Sequence, residues 1–301
     1  MNTQNFITLL DIEKKDLKKL INRAIELKNM VKKNIVYTPL QNKTLALMFD
    51  KSSTRTRVSF EVGMSHFGGN TLFLSPRDTQ LGRGEPIEDT ARVISSMVDC
   101  VVIRTHKHED LLKFSSISKV PVINGLTELV HPCQLLADMM TYQELKGEIK
   151  GKKVAWIGDA NNMCNSYINA SKQFGFELSI ATPENFTPFL FKNSDKNITL
   201  TNDPKIAAKN ADLIVTDVWA SMGDEDKEEE RKKIFKRMQV NKELMNLANS
   251  DAIFMHCLPA HRGEEVTSEV LESPASVIWQ EAENRLHAQK ALLEYILLEN
   301  N

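Results

Sequence analysis

Residues 43–57 read KTLALMFDKSSTRTR, an apolar run followed by a cluster of hydroxyl and guanidinium groups. The run 45–49 predicts a buried strand, and the apolar residues spaced along the segment after the cluster predict a helix. A strand that leads through a Ser/Thr turn into a helix presents backbone N–H groups at a positive dipole end, which suits an anion. Arg55 and Arg57 add planar donors that match phosphate oxygens. Taken alone, the same residues are equally compatible with a helix N-cap followed by two solvated arginines.

Apolar runs alternate with helical stretches along the rest of the chain, as is typical of parallel α/β sheets. A first series of predicted strands covers residues 45–49, 71–74, 100–104 and 121–123, with a helix at 87–97. A second series covers 154–157, 178–181, 198–201, 213–215, 253–255 and 277–279. A helical stretch at 131–146 lies between the two series. The sequence therefore predicts an α/β protein of two similar domains, each a parallel β-sheet flanked by helices, joined by linking helices.

The length of the chain also favours two domains, since 301 residues are at the upper limit for one hydrophobic core. We place the first domain at residues 1–146 and the second at 147–284. Residues 285–301 are predicted to form a C-terminal helix that packs back on the first domain.

Composition narrows the class of protein. Hydrophobic residues make up 42% and charged residues 26%, which is ordinary for a soluble globular enzyme. The net charge of -2 gives no reason to expect nucleic acid or an acidic membrane as a partner. No secretory signal or membrane-spanning stretch is expected. The four cysteines lack C-x-x-C spacing, which argues against a disulfide framework or a zinc site and favours a cytoplasmic location.

Each polar cluster of the sequence follows a predicted strand. Ligands of open α/β sheets bind beyond the carboxyl ends of the strands, so a cleft between the two domains is expected to collect the clusters in one site. Arg104 ends one strand, where it either meets an anion or is solvated. His131-Pro132-Cys133-Gln134 opens the linking helix. Its imidazole and amide suit a carbonyl oxygen and an NH2 group, although the motif alone also fits a helix-start cap.

The second half carries three further clusters. Residues 154–162 form a strand and turn that lack G-x-G-x-x-G, so a dinucleotide site is improbable, whereas Asn161 and Asn162 suit an amino-acid head group. Asp217 and Ser221, in a segment reading DVWASMG, fit a substrate ammonium and carboxylate, or equally a capped turn.

The third of these clusters is the segment HCLPAHRGEEV at residues 256–266. A cysteine between a histidine and a proline turn is poorly explained as core filling. Metal binding by His256, Cys257 and His261 is the rival interpretation. It is disfavoured because successive residues of a strand point in opposite directions and no second group of ligands is evident. We predict no metal and no cofactor.

The motifs STRTR, HPCQ, DxWxSMG and HCLP occur in this order over almost the whole chain, and together they resemble the aspartate/ornithine carbamoyltransferase superfamily on its ornithine branch. The resemblance implies a carbamoyl-phosphate-binding first domain and an ornithine-binding second domain. It also implies the transfer of a carbamoyl group to the δ-amine of L-ornithine. A relative specific for putrescine shares HCLP but lacks SMG.

Site residues follow from the resemblance, position by position. The residues implied to bind carbamoyl phosphate are Ser53, Thr54, Arg55, Thr56, Gln80, Arg104, His131, Pro132, Cys133, Gln134, Cys257, Leu258 and Arg285. Those implied to bind ornithine are Asn162, Asp217, Ser221 and Met222. Arg104, His131, Asp217 and Cys257 are the implied catalytic residues. Gln80 is implied to reach the site of a neighbouring subunit, which predicts a homotrimer, and Leu258-Pro259 is implied to be a cis peptide.

Overall fold

The computed structural model describes residues 4–75, 84–220 and 228–299 and divides into two compact units. The first unit comprises residues 1–140 and 283–301, and the second unit comprises residues 141–282. The sequence predicts domain boundaries at 146/147 and 284/285, whereas the two units meet at 140/141 and 282/283. The domain boundaries stay a prediction.

The strands of the described residues alternate with helices, as the sequence predicts. The strands are β1 Thr44–Phe49, β2 Asn70–Leu74, β3 Cys100–Arg104, β4 Val122–Leu126, β5 Lys153–Ile157, β6 Glu177–Ala181, β7 Ile198–Thr201, β8 Leu213–Thr216 and β9 Ile253–His256. The helices are α1 Lys14–Lys32, α2 Thr54–His66, α3 Ile87–Ile94, α4 His108–Ile117, α5 Pro132–Lys146, α6 Asn162–Phe174, α7 Pro204–Ala208, α8 Glu228–Phe235, α9 Lys242–Met245, α10 Ser268–Leu271 and α11 Ile278–Glu294. Short 3-10 turns lie at Leu9–Asp11 and Lys236–Met238, and a π-helical turn follows α11 at Tyr295–Glu299.

Each unit contains one parallel sheet. The first sheet has the order β2-β1-β3-β4 and the second has the order β7-β6-β5-β8-β9. Strand β1 is buried on both faces, with Leu45 and Leu47 alternating with Ala46 and Met48. Double-sided burial explains why the strands read as continuous apolar runs rather than as alternating ones. The prediction of two α/β units is confirmed.

An aspartate just before a strand fixes the start of a neighbouring strand in both sheets. Asp99, before β3, accepts the backbone N–H of Thr44 at 2.8 Å. Asp212, before β8, accepts the backbone N–H of Lys153 at 2.9 Å. The two carboxylates occupy equivalent places, beside the first residue of β1 and of β5. They satisfy N–H groups at the amino ends of the sheets, on the side away from the polar clusters.

Two details of the predicted secondary structure are corrected. The strand predicted at 277–279 is wrong: only a single bridge joins Ser276 to Phe254, and α11 begins at Ile278. The apolar residues there belong to the first turn of a helix. A run of three apolar residues is too short to distinguish a strand from a helix. The helix predicted at 87–97 ends at Ile94.

The described helices include no candidate for a membrane span. None of those in residues 4–75, 84–220 and 228–299 combines the length and the apolar character that crossing a bilayer requires.

Gly69 lies where the chain passes close to two carbonyl groups. A Cβ at this position would lie 3.0 Å from the Lys43 carbonyl oxygen and 3.1 Å from that of Leu40. Because both are backbone atoms, Gly69→Ala should lower the free energy of unfolding by about 1–3 kcal/mol, measured by urea titration. The control Ser65→Ala, at an exposed position of α2, should change it by less than about 0.5 kcal/mol. Equal effects of the two variants would contradict the close approach.

Candidate active site

The predicted site residues follow the strands on either side of the reversal in each sheet. The strand order of the first sheet reverses between β1 and β3, and that of the second reverses between β5 and β8. Residues 53–56 follow β1 and Arg104 ends β3, whereas Asn162 follows β5 and Asp217 follows β8. The reversal of strand order is the usual ligand position in open α/β sheets, because the loops there diverge and leave a crevice.

Ser53 starts α2 in the first unit. Its backbone is extended, and its hydroxyl accepts the N–H of Thr56 at 3.3 Å, as an N-cap does. Thr54 is exposed, Arg55 is half-buried and Thr56 is buried. The STRT segment therefore lies at the N-terminus of a 13-residue helix, where the helix dipole favours negative charge.

Arg285 joins three helices of the first unit. Its guanidinium donates to Thr56 Oγ1 of α2 at 2.9 Å and to Gln134 Oε1 of α5. Gln134 in turn donates to Asp138 at 2.9 Å. Because Arg285 is only 1% exposed, its charge is withdrawn from bulk water and is held by these acceptors. The structure thus brings together residues that are 229 positions apart in the sequence.

The charges of three arginines act on His131, the residue before α5. Burial lowers the pKa of His131 well below its ordinary value, and the positive charges of Arg285, Arg104 and Arg55 lower this pKa further. His131 is consequently a neutral imidazole at neutral pH. Three cationic side chains that act on one buried group create a positive potential that an anion would neutralise. The three arginines belong to α11, β3 and α2, so separate stretches of the chain act electrostatically on one histidine.

Two residues near this cluster point elsewhere. Arg57 pairs with Glu61 at 2.9 Å, and its guanidinium lies 3.7 Å from the centre of the Phe73 ring, so the structure gives it other partners than an anion. The thiol of Cys133 is fully buried and donates to the Asn124 carbonyl at 3.3 Å. Burial raises the pKa of this thiol to about 12, so Cys133 packs beside β4 as a neutral group. Pro132 provides the first residue of α5.

Asp217 is the centre of a polar cluster in the second unit. One carboxylate oxygen accepts from Asn161 Nδ2 at 2.8 Å, and the other accepts from the Cys257 thiol at 3.2 Å. Asn161 also caps α6, since its Oδ1 accepts the N–H groups of Met163 and Cys164. Asn162 is the first residue of α6 and is half-buried. A largely buried carboxylate with amide and thiol donors can hold a substrate ammonium.

Two groups of side chains in the described residues have the spacing of a metal site. They are Asp217 with His256 and Cys257, and His261 with Glu264 and Glu265. In the first group, both ring nitrogens of His256 are already hydrogen-bonded, one to the Leu258 N–H at 2.9 Å and one to Glu265 at 3.1 Å. In the second group, the Lys232 ammonium lies 3.1 Å from Glu264. The expectation of no metal at these groups stays a prediction.

The turn after β9 has an unusual backbone. Leu258 has φ of 58°, in the left-handed region, which costs a non-glycine residue about 1–2 kcal/mol. The bond from Leu258 to Pro259 is cis, as the resemblance implies. Such a turn places the main chain of Cys257 and Leu258 in a conformation that its own local preferences do not provide.

A further ion pair lies beside the Asp217 cluster. Asp159, which follows β5, pairs with Arg231 of α8 at 2.5 Å, and Arg231 also donates to the Trp219 carbonyl. Burial raises the pKa of Asp159 to about 6, although the Arg231 charge opposes this shift. The pair connects the residues that flank the segment 221–227 to the turn after β5. Sequence reasoning did not single out this pair.

Other residues have contacts at the site that the sequence did not predict. Asn161, rather than Asn162, donates to Asp217, and Asp138, His256 and Glu265 hold site residues in place. The double asparagine was a visible signal for Asn161. No local pattern signals Asp138 or Glu265, since one is four residues into a helix and the other lies in a charged turn. Gln80, Ser221 and Met222 lie outside the described residues.

Comparison with protein families accounts for both units. Residues 4–144 match the aspartate/ornithine carbamoyltransferase, carbamoyl-P binding domain, and residues 150–296 match the aspartate/ornithine carbamoyltransferase, Asp/Orn binding domain. The fold and the two clusters therefore define a transferase, and the chain belongs to the aspartate/ornithine carbamoyltransferase family.

Its relatives point to one branch of that family. An ornithine carbamoyltransferase from Hydrogenovibrio crunogenus is 60% identical over 299 residues, 99% of each chain, and one from Nitrosococcus oceani is 57% identical over 300 residues, also 99% of each chain. The crystal structure of an ornithine carbamoyltransferase from Burkholderia thailandensis is similar, with a TM-score of 0.92, 48% identity and coverage of 99% of this chain and 100% of that one.

The neutral state of His131 predicts a pH effect on stability. Below about pH 6.5, the pKa of a histidine in an unfolded chain, the unfolded chain binds a proton that the folded chain does not. The free energy of unfolding therefore decreases as the pH decreases. Between pH 7 and pH 5.5, the wild type should lose about 1 kcal/mol more free energy of unfolding than His131→Asn does. Urea titrations of both proteins at the two pH values measure this difference. Equal losses in the two proteins would contradict the pKa shift.

Proposed function

We propose that this chain transfers the carbamoyl group of carbamoyl phosphate to the δ-amine of L-ornithine, which gives L-citrulline and phosphate. The observation that carries the proposal is the buried Arg285 guanidinium, which donates to Thr56 of the STRT segment and whose charge, with those of Arg104 and Arg55, acts on the buried His131. A dianionic acyl phosphate such as carbamoyl phosphate is a ligand that this charge favours. The family and the ornithine carbamoyltransferases at 57–60% identity supply the reaction class.

The first unit would bind the donor. Ser53, Thr54, Arg55 and Thr56 would hold the phosphate at the N-terminus of α2, through hydroxyl, guanidinium and backbone donors. Support comes from the capped helix start and from the Arg285 contact with Thr56.

The carbonyl oxygen of carbamoyl phosphate requires hydrogen-bond donors. Arg104 and His131 would contact this oxygen. As a neutral group, His131 would act as a hydrogen-bond donor rather than as a cation, while Arg104 supplies the charge. Gln134 and the main chain of Cys257 and Leu258 would hold the carbamoyl NH2 group, as the resemblance implies. The thiol of Cys133 has no role in this proposal, since it donates a hydrogen bond to the backbone carbonyl of Asn124.

The second unit would bind the acceptor. Asp217 would hold an ammonium of ornithine, with Asn162 at the amino-acid head group. The thiol of Cys257 bonds to Asp217 in this structure and would help to position the δ-amine. Ser221 and Met222, outside the described residues, are assigned to ornithine by the resemblance alone.

The reaction then balances without a cofactor. A neutral δ-amine attacks the carbamoyl carbon and forms a tetrahedral intermediate, whose oxyanion Arg104 and His131 stabilise. The C–O bond to phosphate breaks, and the proton lost from the amine leaves with the phosphate. The δ-amine has a lysine-like pKa near ~10, so the enzyme must select or generate the neutral amine.

Assembly and location complete the proposal. We propose a homotrimer in which Gln80 reaches a neighbouring subunit's site, and a cytoplasmic location, both as the sequence implies. Sedimentation equilibrium should give three times the 34.1 kDa of the chain. A monomer with full activity would contradict the role of Gln80.

Substrate choice is tested with three amines. The purified protein, supplied with carbamoyl phosphate, should form citrulline from L-ornithine. Its kcat/KM with putrescine or an N-acylated ornithine should be at least about 100-fold lower, because each lacks a group that buried polar side chains would pair with. Equal use of putrescine would assign a different acceptor. Phosphate binding without turnover of any of these amines would indicate a non-catalytic anion-binding protein.

The phosphate assignment is tested at two arginines of the same helix. Arg55→Met should lower kcat/KM at least about 100- to 1,000-fold, since it removes a charged donor from the leaving group. The matched control Arg57→Met removes a guanidinium that pairs with Glu61 and should cost far less. Steady-state citrulline formation measures both variants. An Arg55→Met enzyme with the kinetics of the wild type would refute the assignment.

A further inference from the structure

Glu265 closes the turn that carries Cys257. Its side chain is fully buried, and one oxygen, Oε1, accepts from His256 Nε2 at 3.1 Å and from the backbone N–H of His261 at 2.6 Å. These two donors stand immediately before and after the four-residue turn 257–260. A single carboxylate oxygen therefore fixes both ends of the turn.

His256 transmits this contact to the middle of the turn. The Leu258 N–H donates to His256 Nδ1 at 2.9 Å. Because a backbone N–H can only donate, Nδ1 accepts and the ring proton lies on Nε2, directed at Glu265. The backbone N–H of His256 is itself held by the buried Glu281 carboxylate at 2.9 Å. Both ring nitrogens of His256 and its backbone N–H are thus held by hydrogen bonds.

Leu258 needs such a restraint. Its φ of 58° lies in the left-handed region, which an L-residue with a branched side chain adopts only when its surroundings hold it there. Its N–H is held by the hydrogen bond to His256 Nδ1. The backbone of Cys257 and Leu258 depends on the orientation of the His256 ring, and the ring depends on Glu265.

We propose that Glu265 is a positioning residue for carbamoyl transfer, which orients the Cys257–Leu258 turn through the imidazole of His256. This inference rests on the proposed function, in which that turn holds the carbamoyl NH2 group and positions the δ-amine. Glu265 itself touches neither substrate in this scheme. It acts as carboxylates do that fix the tautomer and direction of a functional histidine.

The test distinguishes the effect of losing the hydrogen-bond acceptor of Glu265 from the effect of changing the volume of its side chain. Glu265→Met keeps the length of the side chain but removes the acceptor, and it should lower kcat for citrulline formation about 10- to 100-fold. Glu265→Gln keeps an acceptor oxygen and should retain most of the activity. Glu264→Met, the same change at the neighbouring residue, is the matched control. Inhibition by inorganic phosphate should not change in any of these variants, because residues 53–56 are untouched.

A second measurement follows the turn directly and does not need activity. Hydrogen exchange of the Leu258 amide should be about tenfold faster in Glu265→Met than in the wild type, and unchanged in Glu264→Met. His256→Asn breaks the same link from the other side and should reproduce the kinetic loss. The double variant His256→Asn/Glu265→Met should be no worse than the poorer single variant, because the two residues act as one unit.

Three results would overturn the inference: Glu265→Met with the kinetics and Leu258 exchange of Glu264→Met, equal losses in Glu265→Gln and Glu265→Met, or additive losses in the double variant. Absence of citrulline formation by the wild type would instead overturn the proposed function, and the exchange of Leu258 would still test the link from Glu265 to His256.

Discussion

The guanidinium of Arg285 is buried where α11 meets α2 and α5, and the first unit is organised around this charge. An arginine withdrawn from water is tolerated only where acceptors surround it, and Thr56 and Gln134 are these acceptors. The same contacts position the helix start that follows β1 and the helix start that carries His131. Burial keeps His131 neutral, and the positive charges of Arg285, Arg104 and Arg55 reinforce this effect.

The second unit has the opposite electrostatic character at its cluster. A largely buried carboxylate, Asp217, accepts hydrogen bonds from the amide of Asn161 and the thiol of Cys257. The two clusters therefore match the two proposed substrates by charge: a dianionic donor for the arginines and a cationic amino acid for the aspartate. In both units some of the polar residues, such as Arg104 and Asp217, lie at the ends of strands beside the reversal of the sheet order, where open α/β sheets usually bind ligands.

Much of the fold was predictable because the hydrophobic pattern is local. The central strands of both sheets read as apolar runs, since they are buried on two faces, and the linking helix at residues 132–146 was predicted to within one residue. The run at 277–279 was misread because three apolar residues fit either a strand or a helix turn. The predicted site motifs were recognisable as short strings, but Arg57 and Cys133 show that a side chain within a motif can have partners elsewhere in the protein.

The sequence by itself determined the alternation of strands and helices, the motif residues and the branch of the family, because each depends on neighbouring residues in the chain. Only the tertiary structure decided which side chains share a charge environment: Arg285 beside Thr56, Asn161 beside Asp217, and Glu265 beneath the turn after β9. These pairings join separate elements of the chain. Their energies depend on burial and on distances of about 3 Å, which no local pattern of residues encodes.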